Sequence, residues 1–114
     1  MAKFMYLFRN NPATLRSMSP EQMQQTMKKW MEWRDMLEKN GHLNQLPERL
    51  DGSGKVVRGK SKVVTDGPYV EVKDSVQGQL FVEAKDLDQA VELSKGCPIL
   101  ESDGSVEVRA IISQ

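Results

Sequence analysis

The sequence has almost none of the residues on which metal and thiol chemistry depend. It contains one cysteine, Cys97, and one histidine, His42, in 114 residues. A single cysteine excludes an internal disulfide framework and is typical of a reducing compartment. Metal sites built from histidine and cysteine need several such ligands, so we expect no metal and no cofactor. The plainer interpretations are a buried small residue for Cys97 and a helix-end cap for His42, although a histidine there is also suited to acid–base work.

Long apolar runs and excess charge are missing too. No run approaches the roughly 18 residues of a membrane span, and the N-terminus has no signal-peptide core, so we expect a cytoplasmic protein without membrane contact. Sixteen basic side chains balance sixteen acidic ones, which argues against a nucleic-acid partner. Residues 1–65 carry a net charge of +6 and residues 66–114 carry −6. Opposite halves favour self-complementary packing, within the chain or between subunits, although solvated faces can also simply differ.

The glycines do not form a phosphate-binding loop. Gly52, Gly54 and Gly59 have the spacing of a hairpin, and no helix follows them to cradle a phosphate. Basic side chains cluster on this hairpin, at Lys55, Arg58, Lys60 and Lys62. Such a cluster is suited to an anion, but on a hairpin it is more often a solvated edge. No serine nucleophile elbow is present either.

The sequence does have a clear series of strands and helices. The apolar run between Lys3 and Arg9 does not alternate, which predicts a first strand covered on both faces. Ser19-Pro20-Glu21-Gln22 predicts the start of a long helix with a capping box, and Asn40-Gly41 predicts its end. Its apolar stripe is Met23, Met27, Trp30, Trp33 and Leu37. That stripe favours a helix packed on a sheet, the alternative being a groove for a cofactor.

Alternating residues predict further strands at 61–65, 69–73, 79–85 and 105–112, with a second helix between the last two. The order predicts one domain, residues 1–114, of the α+β class. We expect a ferredoxin-like split β-α-β arrangement, with an antiparallel sheet and both helices on one face. The other face then carries Glu71 and Lys73, or their alternates, together with Phe81, Glu83, Glu107 and Arg109. Because that mixture suits neither water nor a dry core, we expect a homodimer with a small polar pocket inside.

The densest segment surrounds a rigid corner at Asp66-Gly67-Pro68. Asp66 can bond to the backbone of that corner, which is an ordinary role for a turn residue. Tyr69, Glu71 and Lys73 leave the corner on one face of a strand, where they offer an aromatic wall, an acceptor and a donor. Spacing alone makes this a weak signal of a binding site.

These residues resemble a known signature. The run Val63-Val64-Thr65-Asp66-Gly67-Pro68-Tyr69, with Glu71 and Lys73, is similar to the DGPF signature of the YCII-related family, in which Phe usually stands where this chain has Tyr69. Two further runs, 96–100 (GCPIL) and 104–109 (GSVEVR), are similar to the C-terminal signature of the same group. The resemblance implies a ferredoxin-like α+β fold that dimerises through its sheets into an α/β barrel, with an active-site cleft inside.

The resemblance also implies a difference from distant relatives. Dehydrochlorinase- and muconolactone isomerase-like members use a histidine and an aspartate as a candidate acid–base pair. That histidine lies near the start of the first helix, where this chain reads Pro20-Glu21-Gln22-Met23-Gln24. His42 follows the other end of that helix and does not match the position. The inherited acid–base chemistry is therefore not expected here.

Two functions remain open, beside a purely structural dimer without a ligand. The first is binding of a small molecule in a pocket inside the dimer. Its predicted binding residues are Asp66, Tyr69, Glu71, Lys73, Phe81 and Arg109. The second is a lyase or isomerase acting on a small ring compound, with Asp66 or Glu107 as the base and Arg109 or Lys73 steadying negative charge. A carboxylate beside an arginine keeps a low pKa and is a poor base, so Glu107 favours the binding function.

Overall fold

The computed structural model describes residues 1–43, 45, 48–66 and 75–112. The strands are β1 (Ala2–Asn10), β2 (Glu48–Arg49), β3 (Lys55–Arg58), β4 (Val63–Asp66), β5 (Ser75–Ala84) and β6 (Ser105–Ala110). The helices are α1 (Pro12–Arg16), α2 (Pro20–Lys39) and α3 (Leu87–Ser94), and a 3-10 helix spans Pro98–Glu101. No helix in these ranges combines the length and apolar character needed to cross a membrane.

Within the described residues, the main sheet has four strands in the order β2-β5-β1-β6, and every neighbouring pair is antiparallel. The first strand is therefore central, between β5 and β6, which is the split β-α-β arrangement of a ferredoxin-like fold. Strands β3 and β4 form a separate two-stranded sheet. The predicted α+β class and antiparallel sheet are confirmed.

The core lies on one side of the sheet. Phe4, Tyr6 and Phe8 of β1 are buried there, and α2 contributes Trp33 and Leu37. Tyr6 and Trp33 stack with their ring centroids 6.0 Å apart. Helix α3 packs on the same side through its buried Ala90, so the two helices share one face, as expected.

Two aromatic side chains also bond to α3. The Tyr6 hydroxyl donates to the carbonyl of Ala90 at 2.5 Å, and the Trp33 indole N–H donates to the carbonyl of Leu93 at 3.0 Å. Both rings are thus buried with their polar groups satisfied, which removes the cost of burying an unpaired donor. Burial raises the pKa of the Tyr6 hydroxyl far above its ordinary value, so this donor keeps its proton.

The ends of α2 are those the sequence predicts. The Ser19 hydroxyl accepts from the Gln22 backbone N–H at 3.1 Å, and the Gln22 side chain accepts from the Ser19 N–H at 2.9 Å. At the other end Gly41 has a φ of +80°. Its N–H donates to the carbonyl of Glu38 at 3.1 Å, and the next N–H donates to Leu37 at 2.9 Å. This pair of bonds is a Schellman motif.

Three expectations about the strands change. The first strand was expected to be covered on both faces. Buried and half-buried residues alternate along β1, so only one of its faces is fully covered within this chain. Strand β6 ends at Ala110, two residues before the predicted end. The strand predicted at 61–65 occupies Val63–Asp66, because residues 59–62 form the turn of the hairpin. The strand predicted at 69–73 lies outside the described residues.

Gly41→Ala should lower the free energy of unfolding by about 1–2 kcal/mol, because an L side chain is strained at positive φ. No atom lies within 4 Å of the added Cβ, so any loss comes from the backbone alone. Gly54→Ala is the matched control, since its Cβ also meets open space and its φ lies outside the strained range. Urea unfolding measures both variants. Equal stabilities would contradict the Schellman role of Gly41.

Candidate functional site

The side of the main sheet that faces away from α2 and α3 is called the open face. The strand register places Phe81, Met5 and Arg109 in one row across β5, β1 and β6. The next row holds Gln79, Leu7 and Glu107. The three apolar residues of these rows are only half-buried. The open face therefore carries both apolar contacts and charge, as the sequence predicts.

Glu107 is the centre of the charge on this face. Arg9 Nε lies 3.2 Å from its Oε1, and Arg109 Nη1 lies 3.1 Å from its Oε2. These hydrogen bonds, first from Arg109 and then from Arg9, lower the pKa of the Glu107 carboxyl. A carboxylate held in its ionised form is a poor proton acceptor. The arrangement fits binding or structure better than a general base at neutral pH.

The other predicted residues are distributed differently. Asp66 lies at the end of β4, exposed, in an ion pair with Lys55 of β3 (Nζ–Oδ1 2.5 Å). Tyr69, Glu71 and Lys73 lie outside the described residues. Of the predicted set, the structure brings together Phe81, Glu107 and Arg109 and places Asp66 in the other sheet. As a ligand site the set remains a prediction.

His42 and Cys97 both have structural roles. The His42 ring donates from Nδ1 to the carbonyl of Glu83 at 2.8 Å, and the Glu83 N–H returns a bond to the His42 carbonyl at 2.8 Å. The side chain is buried, so it joins the end of α2 to β5 rather than capping the helix at the surface. Cys97 is buried in the core, and burial raises the pKa of its thiol to about 12, which keeps it unreactive.

A cleft that the sequence analysis did not place lies on the helix side of the sheet. This helix cleft has a volume of about 650 Å³ and lies between α1, the first half of α2, the 3-10 helix and one end of the sheet. Its apolar wall includes Phe8, Trp30, Met23 and Met27. Phe8 and Trp30 meet edge to face, with centroids 5.0 Å apart.

The helix cleft exists because α2 is longer than the part of it that packs. Twenty residues of helix span about 30 Å, but the buried residues of α2 are Trp33 and Leu37, both in its second half. Met27 and Met31, in the middle of the helix, keep 45% and 56% of their surface exposed. The predicted packing of the apolar stripe on the sheet therefore holds for Trp30, Trp33 and Leu37, whereas Met23 and Met27 line the helix cleft. The alternative of a cofactor groove stays a prediction.

One side of the cleft requires a glycine that the sequence analysis did not predict to be important. Gly78 of β5 lines the cleft and pairs with Arg49 of β2. A Cβ at this position would lie 2.6 Å from the backbone carbonyl oxygen of Glu48. The close approach of the two backbones thus excludes any side chain there. An isolated glycine within an alternating strand is the signal that marks such an approach.

Several charged side chains lie around the helix cleft, and Lys29 and Arg34 among them are ion-paired. Lys29 Nζ lies 2.9 Å from Glu101 Oε1, and Arg34 bonds to Asp35 and Glu38. Among the polar lining groups, the Thr26 hydroxyl has only a long contact of 4.0 Å to the Met18 sulfur. No three metal-ligating side chains cluster anywhere in the ranges that the structure describes. The surface of the cleft is therefore mainly apolar, with uncharged polar groups and the charged side chains of Lys29, Arg34, Glu48, Arg49 and Glu101 around it.

Comparison with known proteins identifies the family. The model of the YCII-related domain matches residues 2–113. The chain belongs to the YCII-related family. A comparison with curated protein sequences finds no match. Among solved structures, the chain is similar to 5-chloro-2-hydroxyhydroquinone dehydrochlorinase from Burkholderia phenoliruptrix AC1100, in complex with 2,5-dihydroxybenzoquinone. The identity is 16%, the TM-score is 0.47, and the match covers 92% of this chain and 90% of that one.

The Glu107 network of this YCII-related protein is open to direct titration. Followed by NMR, the Glu107 carboxyl should titrate below its ordinary value of 4.5, and Arg109→Ala should move the midpoint upward by removing the first of its two donors. Since the pKa is lowered in the folded state, its contribution to stability is present above the unfolded pKa and is lost as the pH falls. Arg34→Ala, which breaks ion pairs elsewhere, is the control. An unchanged midpoint in Arg109→Ala would contradict the network.

Proposed function

We propose that this YCII-related protein binds a small, largely apolar organic molecule, and that the molecule occupies the helix cleft. The volume of the cleft carries the proposal. At about 650 Å³ it falls within the roughly 300–1,000 Å³ of known small-molecule sites. Such sites are mostly apolar, with a few polar groups that fix the orientation of the ligand. The aromatic and methionine wall, with Thr26 beside it, has this composition.

Three features favour binding over catalysis. The start of α2, where distant relatives place a histidine, reads Pro20-Glu21-Gln22 here, and the Gln22 side chain is held in the capping box. Glu101, a carboxylate at the cleft, pairs with Lys29. The two candidate bases of the lyase or isomerase alternative lie outside the cleft lining and are both ion-paired: Asp66 with Lys55, and Glu107 with two arginines.

We further propose that the protein is a homodimer formed through the open faces of two sheets. The half-buried group of Met5, Leu7 and Phe81, beside an arginine–glutamate network, supports this pairing, because an apolar face with charges at its side suits a second copy better than water. A pocket between the faces, lined by Phe81 and Arg109, is the second location for the ligand.

The DGPF signature supports a place for this chain in the DGPF branch of the YCII-related family. The amino-acid composition supports a cytoplasmic location.

The helix cleft can be tested with 2-naphthol as a neutral aromatic probe. Binding beside Trp30 should quench tryptophan fluorescence in a saturable way. Met27→Arg should weaken binding by about tenfold or more, because it places a charge in an apolar space. Met36→Arg is the matched control, since Met36 is a comparably exposed methionine of α2 that does not line the cleft.

Two results would contradict this location. The first is no saturable quenching up to the solubility limit of 2-naphthol. The second is equal weakening by Met27→Arg and Met36→Arg. If Arg109→Ala abolishes binding while Met27→Arg leaves it intact, the ligand lies between the open faces instead.

The homodimer is tested by light scattering on the purified protein. Phe81→Lys should lower the measured mass by removing the open-face contact, because two apolar faces that each gain a lysine would have to bury like charges. Leu100→Lys, at an exposed leucine of the 3-10 helix, should leave the mass unchanged. A mass that Phe81→Lys leaves unchanged would exclude the open face as the interface.

A further inference from the structure

The β3–β4 hairpin, called here the arm, is a separate two-stranded sheet with exposed apolar side chains. Val57 and Val64 face each other across the two strands, and 63% and 59% of their surfaces are exposed. A two-stranded hairpin is at best marginally stable in water. An exposed valine pair on such a hairpin therefore points to a partner surface that covers it.

The arm is also basic. Its turn carries Lys60 and Lys62, both exposed, beside the valine pair. Gly59 and Lys62 have φ angles of +63° and +57°, and this left-handed backbone makes the turn tight. The arm thus presents an apolar pair next to two positive charges.

Helix α3 offers the complementary surface. Leu87 and Val91, one turn apart, keep 49% and 37% of their surface exposed. Asp88 and Glu92 lie next to them at the same spacing, and both are exposed. Residues 86–92 contain three acidic side chains and no basic one, and Glu92 also pairs with Lys95 of the following turn at 2.7 Å. The outer face of α3 thus presents an apolar pair next to negative charges.

The two surfaces match in scale as well as in charge. Directly opposed residues of antiparallel strands have Cβ atoms about 5 Å apart, and residues one helical turn apart have them about 6 Å apart. In a single chain both apolar pairs are exposed, so the arm does not cover α3 of its own chain. The lysines of the arm lie in residues 1–65, which carry a net charge of +6, and α3 lies in residues 66–114, which carry −6. The net charges of the two halves therefore favour the same pairing.

We propose that the arm of one copy docks on the outer face of α3 of a second copy. The valine pair packs against Leu87 and Val91, and Lys60 and Lys62 lie against Asp88 and Glu92. Since α3 is on the helix side of the sheet, this contact is separate from pairing through the open face. A reciprocal exchange of arms closes a dimer, and a one-way contact builds a larger assembly.

Disulfide trapping between two differently tagged full-length variants tests the contact. Val57→Cys in one and Leu87→Cys in the other should give a covalent heterodimer when the two are mixed and mildly oxidised. Native Cys97 does not interfere, because it is buried with only 2% of its surface exposed. Val57→Cys mixed with Leu100→Cys is the matched control, since Leu100 is 44% exposed on another element. Equal heterodimer yields from Leu87→Cys and Leu100→Cys would overturn the proposal.

A charge exchange gives a second readout. Lys60→Glu should lower the yield of the trapped heterodimer several-fold, and Asp88→Lys in the partner variant should restore it. Failure of that rescue would overturn the charge pairing.

The trapping is repeated with Phe81→Lys in both variants, where the heterodimer should persist even if pairing through the open face is lost. Loss of the heterodimer there would overturn a contact separate from the open face.

Discussion

The stacking of Tyr6 on Trp33 is the contact on which the rest of the structure depends. Tyr6 lies in the central strand, and its hydroxyl reaches α3, while Trp33 joins α2 to the same helix through its indole N–H. One pair of rings thus holds the sheet and both helices together. A polar group buried with its partner in place costs little, but the same group without a partner costs a large fraction of a small domain's stability. The contacts that hold both helices on the sheet are therefore concentrated near this pair of rings.

The helix cleft follows from the concentration of the α2 contacts near Trp33. Tertiary packing anchors α2 through Trp33 and Leu37, close to its C-terminal end, while the capping box keeps its first turn helical without help from the sheet. The first half of the helix extends past the core, and its methionines form a wall rather than a packed layer. Methionine suits such a wall because its side chain is flexible and polarisable, so it adapts to ligands of different shape.

The two faces of the sheet have different chemistry. On the open face, Glu107 is held ionised between two arginines, so charge is fixed and proton transfer is disfavoured. On the helix side, Lys29 and Arg34 are paired with carboxylates, which leaves an apolar space without a strong net charge. Membership of the YCII-related family is consistent with several activities, since function depends on the side chains placed on a fold rather than on the fold itself. Here those side chains favour recognition of an uncharged molecule.

The elements that depend on local interactions follow from the amino-acid sequence alone. The capping box at Ser19, the glycine at position 41 and the alternation along β5 each involve residues a few positions apart, and each is present in the structure. The pairing of Phe81 with Glu107 and Arg109 on one face also followed from the alternation of side chains in strands. These features could be predicted because their physical cause lies within a single segment.

Which apolar residues of α2 are buried depends on contacts with the rest of the fold. The stripe from Met23 to Leu37 is continuous in sequence, yet its C-terminal end is buried and its first half lines a cleft, because the buried aromatic side chains of β1 meet the helix at Trp30 and Trp33. Asp66 lies in a separate hairpin, since its strand pairs with β3, and its part in a binding pocket stays a prediction. Both outcomes depend on contacts between residues far apart in the chain, and periodicity within one segment carries no information about them.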